Sequence, residues 1–149
     1  MTRKGQGSTE YLVLLAVALI VALVVIGLLG WFPGLGAGAR DTQSAAYWQS
    51  ATPFSITAVK VADTGSQMTV QNKIAEKVVL TAVTFGGTSV FSTSTNFTGG
   101  QERTVSISST CTTAGEQIQY DDVTFTYNQG AITGLKQVGD KPLIVECAA

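Results

Sequence analysis

The sequence predicts an α+β protein in which a long N-terminal hydrophobic helix, kinked near Pro33, precedes a small antiparallel β-sandwich head. Two observations lead to this prediction. Residues Leu12 to Phe32 are all apolar or glycine. From Phe54 onward the chain consists of short segments of alternating apolar and polar residues, separated by glycine-rich turns. At 149 residues the chain has room for one domain and one long helix.

The apolar block from Leu12 to Phe32 predicts a membrane-spanning helix. Its 21 residues would extend roughly 31 Å at about 1.5 Å per residue, which is enough to cross the hydrocarbon core of a bilayer. Arg3 and Lys4 precede the block, and basic residues in this position keep the N-terminus inside the cell. Taken alone, the block is also compatible with a plain membrane anchor.

Pro33 and Gly34 follow the apolar block and predict a hinge between two helical segments. Proline removes a backbone donor, and the glycines from Gly30 to Gly38 weaken helix formation. A kink or a short non-helical break is therefore expected here.

The polar segment from Arg40 to Ala51 predicts about three further turns of helix, which end before Pro53. We interpret the aromatic pair Tyr47 and Trp48 as packing between this neck and the head, because aromatic residues at such a junction usually belong to a core. A binding platform is the alternative interpretation.

The chain after Phe54 predicts about seven or eight short strands, as in a small antiparallel sandwich or barrel. Residues 123–127 alternate cleanly, whereas residues 77–85 form a denser apolar strand that we expect to be more fully buried. Gly86 and Gly87 separate two such strands and predict a two-residue hairpin, because both can adopt positive φ. The order of the strands does not follow from the sequence.

Composition excludes several classes of function. The net charge of −1 gives no basic stripe for nucleic acid. The chain has no histidine and two cysteines, so we predict no metal, no cofactor and no enzyme active site. Asp121 and Asp122 could form a carboxylate pair, but adjacent residues of a strand point to opposite faces, so we do not expect them to act on one substrate.

The segment ahead of the apolar block is organised differently from an ordinary secretory signal. A secretory signal has a basic start, an apolar core and then a small-residue cleavage site. Here the polar, small-residue segment from Gly5 to Tyr11 lies between the basic residues and the apolar block. A cut within it would leave the hydrophobic helix on the mature protein.

This arrangement resembles the class III signal peptide of archaeal type IV-like pilins, whose pattern is Gln-x-Ser-x-Glu-Tyr directly after the cleaved bond. The fixed positions are all matched, by Gln6, Ser8, Glu10 and Tyr11. The resemblance extends from Lys4 to Phe32.

The resemblance implies that a prepilin peptidase recognises Lys4 together with the motif and cleaves between Gly5 and Gln6. Residues 1–5 would then be the leader, residues 6–52 the hydrophobic helix and neck, and residues 53–149 the β-rich head. Cleavage would create a new α-amino group on Gln6. We expect Glu10 of an incoming subunit to pair with such an amine during assembly, since an unpaired buried charge is very costly.

The function that the resemblance implies is that of a structural subunit, a pilin precursor. It would be inserted in the cell membrane, then assemble through its N-terminal helix into an extracellular pilus used for adhesion. Its partners would be other copies of the chain, the prepilin peptidase, a pilus assembly ATPase and a membrane platform protein.

Export also bears on two features of the head. Cys111 and Cys147 would enclose a loop of about 37 residues, and an oxidising exterior favours a disulfide between them over two buried thiols. Asn96 begins the triplet Asn-Phe-Thr, which is an acceptor sequence for N-glycosylation. We place this triplet in a loop rich in serine, threonine and glycine.

Two alternative functions are compatible with parts of the sequence. A monomeric secreted or membrane-anchored β-sandwich binding module could be released after Ala39, because residues 37–39 imitate a small-residue cleavage site. That alternative leaves the segment from Gln6 to Tyr11 unexplained. An archaellin, the subunit of a swimming filament, has a similar architecture but a different start.

Overall fold

The computed structural model describes residues 6–30 and 33–148, with side chains described for residues 7–28 and 38–148. The chain divides into two compact units, Met1–Gly38 and Ala39–Ala149. This boundary precedes the one expected from the sequence, because the second part of the neck belongs to the same unit as the strands.

The first unit is dominated by helix α1, Gln6–Gly30. Residues 7–28 form a stretch of 22 residues whose most apolar 18-residue segment has a mean hydropathy of 3.1, long and apolar enough to cross a membrane. Every side chain from residue 7 to residue 28 is exposed, and apolar residues occupy all sides of the helix. A helix of this composition requires an apolar environment on every side.

Helix α2, Pro33–Ser50, runs through the neck. Proline is well tolerated at the first position of a helix, where its missing N–H would have no intrahelical partner. Gly34, Gly36 and Gly38 lie inside α2, so the expected weakening by glycine does not interrupt the helix there. Residues 31 and 32 lie outside the described residues, and the hinge at Pro33 and Gly34 stays a prediction. The helix ends before Pro53, as predicted, and the Thr52–Pro53 peptide is cis.

Ten strands follow within the described part of the chain, more than the seven or eight expected. Their bounds are β1 Phe54–Lys60, β2 Gln67–Asn72, β3 Val78–Phe85, β4 Thr88–Phe91, β5 Thr95–Phe97, β6 Glu102–Ser106, β7 Gln117–Tyr120, β8 Thr124–Gln129, β9 Ile132–Val138 and β10 Leu143–Glu146.

The strands form three sheets, and all pairs of named strands are antiparallel. One sheet has the order β1-β2-β6, a second consists of β10 and β7, and the five-stranded sheet has the order β4-β3-β8-β9, with β5 also paired to β3. A single parallel bridge joins Val61 to Cys147. The prediction of an α+β protein with an antiparallel β-rich head is confirmed.

The predicted hairpin at Gly86 and Gly87 is also confirmed. The two glycines connect β3 to β4, with Phe85 opposite Thr88, and have φ values of 56° and 83°. Positive φ at both central residues matches the twist of the flanking strands. Strand β3 is the densely apolar strand of the sequence, and it lies between β4 and β5 on one side and β8 on the other.

Aromatic rings form the centre of the head. The ring centroid of Phe54 lies 5.5 Å from that of Phe97, 5.6 Å from that of Phe125 and 5.5 Å from that of Tyr127. The three phenylalanines are fully buried. They come from β1, β5 and β8, so this cluster holds the three-stranded sheet against the five-stranded sheet, as in a sandwich.

A disulfide joins Cys111 to Cys147, with the Cα atoms 5.9 Å apart. Backbone hydrogen bonds lie on both sides of it: the Cys111 amide donates to the carbonyl of Ala62 at 3.3 Å, and the Ala148 amide donates to the carbonyl of Val61 at 2.8 Å. The bridge therefore fixes the end of the chain and the loop before β7 to the segment that follows β1.

Replacing both cysteines by serine is expected to lower the free energy of unfolding of the head by about 3–4 kcal/mol, because the bridge closes a loop of about 37 residues. Urea denaturation of the full-length protein in detergent, followed by tryptophan fluorescence, measures this difference. Reduced wild-type protein should unfold at the midpoint of the double variant. Equal midpoints for oxidised wild type and the double variant would contradict the prediction.

Candidate functional site

The predicted peptidase-recognition motif lies at the beginning of α1. Lys4 and Gly5 lie outside the described residues, and the side chain of Gln6 is not described. Ser8, Glu10 and Tyr11 are helical and exposed. The motif therefore continues into the same helix as the apolar block, without an intervening turn.

Glu10 is the fifth residue of the described helix and lies beyond its first turn. Ser8 is inside the helix, so it does not have the position of an N-cap. One simple explanation of Glu10 is that its carboxylate stabilises the positive end of the helix dipole. The position of Glu10 beyond the first turn weakens this explanation, because the dipole effect declines after the first turn. Glu10 shares a shallow surface pocket with Val13 and Leu14, which are apolar and exposed.

The second candidate region is the face of α2 that packs against the head, which we call the neck face. It consists of Ser44, Tyr47 and Trp48, which share one side of the helix because they are three and four residues apart. The Tyr47 hydroxyl accepts a hydrogen bond of 2.9 Å from the amide of Asp140. The Trp48 ring is 1% exposed and lies 6.2 Å from the ring of Phe125.

Ser44 attaches the neck face to the start of β10. Its hydroxyl donates to the carbonyl of Pro142 at 2.9 Å and accepts from the amide of Ile144 at 3.1 Å. The indole Nε1 of Trp48 also donates to the Pro142 carbonyl, at 3.4 Å. A helix side chain thus satisfies backbone groups that would otherwise lie unpaired at a strand edge.

Gly139 provides the space for the Trp48 ring. A Cβ atom at position 139 would overlap the Cη2 and Cζ2 atoms of Trp48. The amide of Gly139 donates to the carbonyl of Val123 at 2.9 Å, which fixes the backbone beneath the ring. The tryptophan and the glycine are therefore a complementary pair, and Trp48 is a core residue that cannot serve as an open binding platform.

Gln137 makes a comparable contact with the first strand. Its side-chain amide accepts from the Phe54 amide at 2.8 Å and donates to the Phe54 carbonyl at 2.8 Å. These two bonds satisfy the backbone amide and carbonyl of Phe54, whose strand is paired with β2 at Asn72. A separate hydrogen bond links β7 to α2, where the Nε2 of Gln117 donates to the Oδ1 of Asp41 at 2.7 Å.

Asp121 and Asp122 lie in the turn between β7 and β8, so the expectation that they alternate along a strand is wrong. The Asp121 carboxylate accepts from Nε2 of Gln119 at 2.9 Å, its carbonyl accepts from the Gly86 amide at 2.9 Å, and Asp122 has a φ of 50°. Both residues have structural roles in this turn. In the described parts of the chain, no three Cys, Asp or Glu side chains are grouped as metal ligands.

The sequence indicated Tyr47 and Trp48 but missed Ser44, Gln137 and Gly139. Serine and glutamine have no periodic signature, and a glycine in a polar loop gives no indication of what packs on it. The spacing of Ser44 to Trp48 is the only local signal that could have linked Ser44 to the buried ring.

Comparison with known proteins identifies the beginning of the chain. Residues 3–29 match the family model described as Class III signal peptide. No curated protein matched the chain. The match confirms the predicted signal and is consistent with an archaeal type IV-like pilin.

A class III signal peptide indicates a secreted precursor of the type IV pilin or archaellin kind. Together with the apolar helix α1, it indicates insertion into the membrane followed by secretion. Signal peptides of this class are processed by a prepilin peptidase, and pilins assemble into filaments.

Gly139→Ala is expected to destabilise the head by about 1–3 kcal/mol, because the new methyl group forces the Trp48 ring or the backbone to move. The unfolding midpoint and the tryptophan emission maximum measure the effect, with a red shift if the ring becomes hydrated. Gly38→Ala is the matched control, since its Cβ would meet no atom within 4 Å. Equal losses of stability in both variants would show that the ring contact is not the cause.

Proposed function

We propose that this protein is the structural subunit of an archaeal type IV-like pilus, made as a pilin precursor and assembled through its N-terminal helix into an adhesive surface filament. The observation that supports this most strongly is the position of Glu10. It is the first charged residue after the predicted cleavage site, and the next is Arg40. A processed subunit would thus carry a carboxylate four residues from its new amino terminus.

The exposed circumference of α1 supports assembly through this helix. Apolar side chains on every side can be covered by lipid before assembly and by α1 helices of other copies afterwards. Burying Glu10 among such helices is very unfavourable unless the carboxylate is paired. The α-amino group of Gln6 on a neighbouring subunit is the partner that we propose.

This pairing would determine the axial position of each subunit more than it would add stability. A buried ion pair often contributes little net free energy, whereas leaving one member unpaired costs about 3–5 kcal/mol. Shifted arrangements of the helices would leave both charges unpaired.

We further propose that an assembly ATPase and a membrane platform protein drive extraction of the helix from the bilayer.

A secreted or anchored β-sandwich binding module is the second candidate function. It is favoured by the compact unit that begins at Ala39, the residue after which such a module would be released. Against it, Ala39 lies within helix α2, whose later residues pack on the head. The N-terminal residue of the extracellular protein separates the candidates: Gln6 for the pilin, Arg40 for the released module, and Met1 or Thr2 for an unprocessed anchor.

Gly5→Val is expected to block processing, because glycine exposes the following peptide bond closely to a membrane protease and a branched side chain does not. Immunoblotting of membranes should show only the longer precursor, and filaments should be absent. Gly7→Ala, on the other side of the predicted bond and without close neighbours in the structure, is the control. Normal trimming of the Gly5→Val precursor to Gln6 would contradict the prediction.

Glu10→Gln is expected to leave membrane insertion and processing intact but to abolish or severely reduce filaments, because the amide cannot form the ion pair. Filaments are counted by electron microscopy, and processed subunit in the membrane is quantified by immunoblotting. Asp41→Asn makes the same chemical change at a half-buried residue of the neck, outside α1, and should assemble normally. Wild-type filament numbers in Glu10→Gln would support a helix-dipole role instead.

A further inference from the structure

The triplet Asn96-Phe97-Thr98 is not explained by assembly, and the structure places its three residues in different environments. Strand β5 pairs with β3, with Asn96 opposite Val79 and Phe97 opposite Val78. Phe97 is fully buried against Phe54, and Asn96 is exposed. Asn96 and Phe97 therefore lie in strand β5, contrary to the expectation of a loop, while Thr98 follows the end of that strand. The side chain of Asn96 points away from the core.

The chain contains three asparagines, and two of them have structural roles. Buried Asn72 donates to the carbonyls of Glu76 and Thr98 at 2.8 and 3.1 Å, and its Oδ1 accepts from the amide of Ile74 at 3.1 Å. The Oδ1 of Asn128 accepts from the Gly134 amide at 2.9 Å. The Asn96 side chain makes no hydrogen bond with any described residue, although asparagine is disfavoured in strands.

We propose that Asn96 is an N-glycosylation site, and that the glycan is attached to the exported chain before the head folds. In this reaction the Asn96 amide nitrogen forms a bond to the anomeric carbon of a glycosyl phosphate donor. The bond between that carbon and the phosphate oxygen breaks, the phosphate leaves with the electron pair, and one amide proton passes to a base. No oxidation or reduction is involved.

The order of events follows from the contacts of Thr98. Its hydroxyl donates to the Oε1 of Gln101 at 3.2 Å, and its amide donates to the same oxygen at 2.9 Å. Its carbonyl accepts from the Gln101 amide at 3.0 Å. An enzyme specific for Asn-x-Ser/Thr must contact both the amide and the hydroxyl. In the folded head the Thr98 hydroxyl is hydrogen-bonded to Gln101, and Asn96 and Phe97 are paired with β3. The enzyme therefore needs this segment in its unfolded state.

The position of the glycan also has a consequence for the fold. Within the described residues β5 pairs with β3 alone, so its other edge is open. Open strand edges can pair with edges of other molecules and cause aggregation. A bulky hydrophilic glycan on Asn96 would cover this edge and keep this side of the five-stranded sheet in solvent.

The test begins with mass spectrometry of the Asn96 peptide from membrane-bound precursor and extracellular protein of the native host. The peptide is expected to carry a glycan in wild type and in Thr98→Ser, which keeps the hydroxyl. It should be unmodified in Thr98→Val, which has a similar shape but no hydroxyl. An unmodified peptide in wild type overturns the proposal.

The timing is tested by pulse-chase labelling, with the Cys111–Cys147 disulfide as the marker of folding. Glycosylated chains with free thiols are expected first, and they should chase into glycosylated, disulfide-bonded chains. Disulfide-bonded chains that acquire the glycan afterwards would overturn the proposed order. The site requires export but no filament, so filaments with bare Asn96 would refute this inference and leave the proposed function intact.

Discussion

Helix α1 has apolar side chains on all sides, and this surface must be kept out of water. Water exclusion can come from lipid or from other copies of the same helix, and the two environments are similarly apolar. Transfer of the subunit from membrane to filament would therefore involve little change in hydrophobic burial for most of the helix. The polar groups at its start are different, because their partners would change between membrane and filament.

A single carboxylate has a large effect on specificity in such a helix. Apolar helices can slide past one another with small changes in packing, since each contact contributes only a small dispersion energy. An unpaired charge in the same environment costs several kcal/mol. Between Glu10 and Arg40 the sequence has no other charged residue, so in the proposed filament no second ion pair along α1 would compete with Glu10 to define the register.

The neck face gives the head a defined connection to helix α2. Ser44 bonds to backbone groups of β10, and Trp48 packs over Gly139. Together these side chains take the place of water along the edge of β10. They protect that edge from pairing with other molecules and fix the orientation of the end of α2. The residues of α2 from Ala39 onward therefore fold as part of the head.

Local patterns predicted the features that depend on neighbouring residues. The apolar block gave α1, and the glycine pair gave the hairpin, because the requirement for positive φ is local. The count of strands was too low because several strands are very short: β5 has three residues and β4, β7 and β10 have four, too few for alternation to be recognised reliably. Sheet order and the partners of the neck face involve residues far apart in the chain, such as Trp48 and Gly139. A sequence pattern can predict that the Trp48 indole will be buried. It cannot predict which glycine will leave room for the ring, because a single glycine in a polar loop has no pattern of its own, so the contact with Gly139 appears only in the folded structure.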